Sequence, residues 1–192
     1  MNIVQKGGKE VPKIIENPEE VILSHARDIL LNDGYTSLTM RKVSNNSGIA
    51  VGTIYNYFPT KDHLTLRLME DYWYDYLKAL DEIDRLETDL YVKLFRIYKK
   101  LDDFTQTFQE VWVKNSTPGY TEDSRNRKKN FMQKLSKRLE EILMEAQSKG
   151  IIRLPLEPSA TAEFLLLNFL TMAQMKQFEY NNFEKILKKL FE

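Results

Sequence analysis

The chain contains no cysteine, which removes disulfides and thiolate metal sites from consideration. Histidine occurs only twice, as His25 and His63, in two separate helical stretches. No nucleophile–base set, phosphate-cradling loop or metal-ligand spacing accompanies them, so no catalytic residue, metal or cofactor is expected. Seven glycines and six prolines in 192 residues, most of the prolines at segment ends, leave few interruptions and favour an all-α chain. No apolar run approaches the roughly 18 residues that a membrane-spanning helix needs, and Met1 to Lys13 holds no signal-peptide core. A cytoplasmic protein is expected, with no membrane partner. Net charge is also missing: 28 basic residues balance 28 acidic ones. Bulk charge therefore supplies no affinity for a polyanion.

Charge placement differs from the total. No acid occurs between Asp33 and Asp62, the interval that holds Arg41, Lys42 and Lys61. Within it the stretch TMRKVSNNSGIAVGTIYNYFPTK (39–61) reads as two short helices joined by a tight turn. Thr39 is placed to cap the first, Met40 to Asn46. Ser47-Gly48 ends it, since glycine accepts the left-handed conformation common at a helix C-terminus. Ile49 plugs the corner, and a second helix runs from about Ala50 to Tyr57 before Pro59 stops it. At 100° per residue, Ile54 and Phe58 share an inner side with Val43 and Ile49. Gly52, Thr53 and Asn56 share the outer side, flanked by Tyr55 and Tyr57. A side-chain-free position, short hydrogen-bonding groups and phenols, with Arg41 and Lys61 nearby, suit approach to a phosphate backbone and base edges. The pattern is a helix-turn-helix whose second helix reads a major groove.

The run GIAVGTIYNYF (48–58) followed by PTKD resembles the signature of the tetracycline-repressor (TetR) family. Arg27 to Leu68 carries most of the likeness. The resemblance implies contacts to the DNA backbone from Thr39, Thr53, Tyr57 and Lys61. Base-edge or mixed contacts would come from Arg41, Val51, Gly52, Tyr55 and Asn56. Two positions depart from the usual pattern: Ala50 stands where Ser or Thr is common, and Val51 where a polar or basic residue is frequent. An apolar Val51 suits a thymine methyl.

The implied architecture is a three-helix DNA-binding unit in residues 1–60 and a C-terminal helical bundle in 61–192 for ligand binding and dimerisation. Met1 to Glu16 is a polar arm. Asn17-Pro18-Glu19-Glu20 reads as a helix start with Asn17 as cap, Pro18 first and acids in the first turn. Ile22, Ala26, Ile29 and Leu30 form one stripe to cover the helix-turn-helix, and Asp33-Gly34 closes that helix. Thr60 caps the next, which reaches about Leu80. Helices are expected over Asp89–Leu101, Asp103–Lys114, Thr121–Lys149, Ser159–Phe178 and Asn181–Glu192, with a turn at Ser116–Tyr120.

Ten aromatic residues crowd between Tyr72 and Trp112. With later Phe131, they make a pocket for a small apolar or aromatic effector the expectation, lined by Trp73, Tyr76, Phe95, Tyr98, Phe104, Phe108, Trp112 and Phe131. The segment from Phe164 to Met175 is apolar nearly all round, so one side can meet its own core and the other a second copy. Leu139, Ile142, Leu165, Leu166, Phe169 and Met172 are the expected dimer seam. Taken together, the chain is expected to be a homodimeric, effector-responsive repressor of a palindromic operator in double-stranded DNA. The alternative is an architectural DNA binder without an effector.

Overall fold

A computed structural model describes residues 15–113 and 122–192, apart from the side chains of residues 109–113, 123 and 124. The expected arm up to residue 14, the turn at Ser116–Tyr120 and the side chain of Trp112 lie outside the described residues. The described residues form eight helices and no strand: α1 (Pro18–Ser37), α2 (Met40–Ser47), α3 (Val51–Tyr57), α4 (Lys61–Asp84), α5 (Leu90–Val113), α6 (Glu122–Ser148), α7 (Pro158–Met175) and α8 (Tyr180–Leu190). The all-α expectation holds, and so does the order of a three-helix unit followed by a bundle.

Local chemistry sets most of the boundaries. Thr39 Oγ1 accepts the backbone N–H of Lys42 at 3.2 Å, and Thr60 Oγ1 accepts that of His63 at 3.1 Å. Each satisfies an N–H that the first helical turn leaves without a partner. Gly48 ends α2 at φ 70°, a conformation that costs a side-chain-bearing residue and not glycine. Gly34, at φ 80°, breaks α1 three residues before its end.

Two expectations fail here. Asn17 does not cap α1: it sits at φ 50° with no side-chain hydrogen bond, and only its carbonyl engages, accepting from Val21 N at 3.2 Å. The left-handed backbone turns its amide away from the N–H groups it was expected to meet. The two helices expected on either side of Asp102 are one helix, α5, with a kink at Phe108 (φ −111°, ψ 15°). Asp102 is buried inside it, near Lys99 Nζ at 3.1 Å and Lys176 Nζ at 3.7 Å. These partners let an acid lie in a helix interior.

One apolar core runs from Ile22 in α1 to Phe191 beyond α8. α1 packs against α2 and α3 on one side and against α4 and α5 on the other; α7 packs between α5 and α6. α2 and α3 therefore rest on a helix that is itself braced by the bundle. Three short helices alone would hold too little core.

Candidate nucleic-acid interface

α3 has seven residues, too few to be helical unaided in water. It is held from its inner side. Ile54 is fully buried, Phe58 and Ile49 nearly so, and Val43 of α2 meets them in the same core. Ser44 Oγ donates to the Ile49 carbonyl at 2.7 Å, fixing the turn between α2 and α3. That anchoring leaves the other side outward. Val51, Gly52, Tyr55, Asn56 and Tyr57 are exposed and Thr53 is partly so; Thr39 and Arg41 of α2 are exposed beside them. The structure thus brings Thr39, Arg41, Val51, Gly52, Thr53, Tyr55, Asn56 and Tyr57 onto the solvent side of one small unit.

Lys61 is placed differently from the expectation of a freely projecting cation. Its Nζ donates to the Tyr35 carbonyl at 2.6 Å and lies 3.7 Å from the Tyr35 ring centroid. Tyr35 Oη in turn donates to Asp62 Oδ1 at 3.2 Å. This clasp fastens the start of α4 to the end of α1. Sequence reasoning missed Tyr35 because its partners lie 26 and 27 positions away. Lys42 is also engaged: its Nζ is 2.8 Å from Asp33 Oδ2.

A second set of ties crosses from α1 to α4. Arg67 reaches Glu19 at 3.8 Å and Asp71 at 2.5 Å, while Arg27 reaches Asp71 at 3.9 Å and Asp75 at 3.3 Å. The guanidinium of Arg27 also lies 5.2 Å from the Tyr72 ring centroid.

Residues 22–68 match the sequence profile described as "Bacterial regulatory proteins, tetR family". The chain carries a TetR-family regulatory domain. The fold extends the likeness along the chain. The reduced form of Escherichia coli NemR superposes with a TM-score of 0.68 at 16% identity, covering 92% of this chain and 98% of that one. A transcriptional regulator from Cytophaga hutchinsonii gives 0.69 at 18% identity, covering 91% and 95%. FadR from Bacillus subtilis in complex with stearoyl-CoA gives 0.60 at 16% identity, covering 90% and 96%. No curated protein matches the sequence. The fold is TetR-like, a three-helix unit with a helix-turn-helix set on a helical bundle.

Among the described side chains, the aromatic residues expected to line one pocket divide into two clusters in this TetR-like bundle. Trp73 stacks on Phe131 at 5.1 Å, and Tyr76, Phe104 and Phe108 complete the first cluster. Tyr76 Oη donates to the Ile97 carbonyl at 2.9 Å, and burial pushes its pKa far up. Phe95 and Tyr98 belong elsewhere, packed at 5.0 and 4.9 Å against Tyr180, which the sequence reading did not single out. Phe95 is exposed on its other side. The first cluster is closed upon itself, and open space lies beside it. A cavity of about 340 Å³ is bounded by Arg27, Leu31, Tyr72, Asp75, Tyr76 and Phe104. One of about 140 Å³ lies against Trp73, Phe131 and Arg127.

The seam residues also need correction. Leu139, Ile142, Leu165, Leu166, Phe169 and Met172 are all buried within the single chain. They are core, facing α5, α6 and α7 of their own copy. The exposed apolar side chains of α7 are Phe164, Leu167 and Met175, at 42%, 63% and 58%. Between them Asn168 Nδ2 donates to the Phe164 carbonyl at 2.7 Å and Thr171 Oγ1 to the Leu167 carbonyl at 2.8 Å. Both polar groups are thereby satisfied on their own helix.

Proposed function

We propose that the chain is a homodimeric DNA-binding transcriptional regulator, with residues 1–60 reading DNA and 61–192 receiving an effector and a second copy. The observation that carries the reading is Gly52. It lies inside α3, a Cβ built on it meets nothing within 4 Å, and its φ is not in the left-handed region. Glycine there costs about 0.5–1 kcal/mol relative to alanine with no return inside the chain. A surface that must come very close to the helix explains it, and a DNA groove is such a surface. Tyr55 and Asn56 supply hydrogen bonds to base edges, Val51 contacts a thymine methyl, Thr39, Thr53, Tyr57 and Lys61 meet the DNA backbone, and Arg41 makes mixed contacts.

One seven-residue helix reads too few base pairs for useful specificity, so two copies act on a palindrome, their readers about 34–36 Å apart. The outer stripe of α7, Phe164, Leu167, Thr171 and Met175, is the surface suited to the second copy. It is uncharged, and its polar side chains are already bonded to backbone.

The effector enters the cavity of about 340 Å³ between α1, α4 and α5. That volume lies at the lower end of the ~300–1,000 Å³ typical of ligand sites, so a small molecule with an apolar or aromatic body fits. One similar structure holds stearoyl-CoA; a ligand of that size requires this bundle to open. Binding shifts α4 against α1 and changes reader spacing, and a coupling of about 1–3 kcal/mol is enough for release.

Selection of duplexes from a random pool, followed by fluorescence anisotropy, tests the reading. Enrichment of an inverted repeat whose half-site centres lie about one helical turn apart supports it. Failure to enrich any sequence rejects it. A small-molecule screen on the selected duplex then separates a released repressor from an architectural binder, whose affinity no compound changes.

A further inference from the structure

The two lysines that bracket the reading helices, Lys42 in α2 and Lys61 at the start of α4, are both held by one three-residue segment, Asp33-Gly34-Tyr35. Asp33 takes Lys42 at 2.8 Å and the Tyr35 carbonyl takes Lys61 at 2.6 Å, on either side of the Gly34 break at φ 80°. The two grips differ in kind. Lys61 is partly buried, lies over a ring and bonds to a backbone carbonyl that cannot leave. The Lys42–Asp33 pair is 39% and 44% exposed, and such pairs contribute little because water competes for both charges. Lys42 also follows Arg41 on the outward side of α2, with Thr39 one turn before it. Asp33 is the last acid before the acid-free interval that ends at Asp62.

We propose that Asp33 is a built-in competitor of DNA phosphate for Lys42. On the duplex, the Lys42 ammonium exchanges the Asp33 carboxylate for a phosphate oxygen, and Asp33 thereby sets how strongly the reading unit grips DNA of any sequence. The inference rests on the DNA-binding reading above. Its signature is in the salt dependence. A lysine that neutralises a phosphate releases condensed counterions and steepens the log–log salt slope by about 0.9. When Lys42 leaves Asp33, the bared carboxylate beside the duplex takes a cation back, so most of that gain is cancelled. Removing the carboxylate restores it.

The test uses the full chain and a labelled 30-base-pair duplex of random sequence, with affinity measured by anisotropy from about 50 to 200 mM KCl. Asp33→Asn is expected to raise affinity about threefold to fivefold per reading unit at the lowest salt and to steepen the slope by up to about 0.9. Asp28→Asn, an equal change of charge at an exposed site on α1, should do less. Lys42→Gln should remove the effect, so that Asp33→Asn changes nothing in its background. The inference is overturned if Asp33→Asn matches Asp28→Asn, if its gain survives Lys42→Gln, or if affinity and Tm fall together because the pair only pins α2 to α1. Should Arg41→Ala weaken binding while Asp33→Asn is neutral, this inference fails and the DNA-binding reading stands. A wild-type chain that holds no duplex at any salt removes both.

Discussion

The outward faces of α3 and α7 are alike in one respect and opposite in another. The outward face of α3 carries no charged side chain and that of α7 only Glu163 at one border, yet α3 presents a glycine, hydroxyls and an amide, whereas α7 presents Phe164, Leu167 and Met175. The polar groups of α3 hold no backbone partner on their own helix, while Asn168 and Thr171 of α7 are spent on theirs. An unspent hydrogen-bonding surface fits a hydrated partner that offers donors and acceptors in return. A surface whose polar groups are already satisfied gains only by losing water from its apolar area. Absence of charge alone says little; what the remaining groups are bonded to decides the partner.

That contrast is sharpest across α7 itself. Phe169 is fully buried against Tyr98, Tyr180 and Phe183. Phe169→Ala should cost about 3–5 kcal/mol, read as a large fall in the midpoint of chemical denaturation. Leu167→Glu, on the other side of the same helix, should leave helical content intact by circular dichroism. It should give monomers in sedimentation and a loss of several kcal/mol in binding to a two-half-site duplex, because two like charges meet at a two-fold contact. If Leu167→Glu stays dimeric, the outer stripe is not the seam.

Tyr180 probes the inner side more finely. Its hydroxyl is buried with no hydrogen-bond partner, so Tyr180→Phe should stabilise the chain by about 1 kcal/mol. Burial also raises the phenol pKa of Tyr180 and Tyr76 well above 10.0. The folded state then holds protons that the unfolded state gives up as pH passes about 10, so stability should fall above that pH. Tyr180→Phe should lessen this fall, which a melting series from pH 8 to 11 would show. The smallest effect belongs to α3. Gly52→Ala should raise stability by about 0.5–1 kcal/mol while weakening DNA binding. A gain in both would mean that nothing approaches this helix closely.

The reading unit was legible because its chemistry is local. The Thr39 cap, the Gly48 stop, the inner set Val43, Ile49, Ile54 and Phe58 and the outward Gly52 each follow from neighbours within four residues. The bundle was legible as helices and not as surfaces. α7 is apolar on both sides, so its periodicity could not tell Leu166 and Phe169, which face the core, from Phe164 and Leu167, which do not. The aromatic run suffered similarly: composition placed eight rings in one pocket, whereas packing splits Phe95 and Tyr98 from Trp73, Tyr76, Phe104, Phe108 and Phe131. The sequence pattern separates a helix ending at Leu101 from one starting at Asp103, whereas α5 runs through Asp102, which Lys99, Gln106 and Lys176 surround.

The order of residues by itself determined the helical class, the caps and stops of the reading helices, and which side of α3 faces outward. Hydrogen bonds within a turn and the 100° step between side chains settle these without reference to distant parts of the chain. Only the tertiary structure decided that Lys61 and Lys42 are held by the end of α1, that the aromatic residues form two clusters, and which side of α7 is left bare. Those outcomes depend on which distant segments come within a few ångströms of one another, and no local pattern records that.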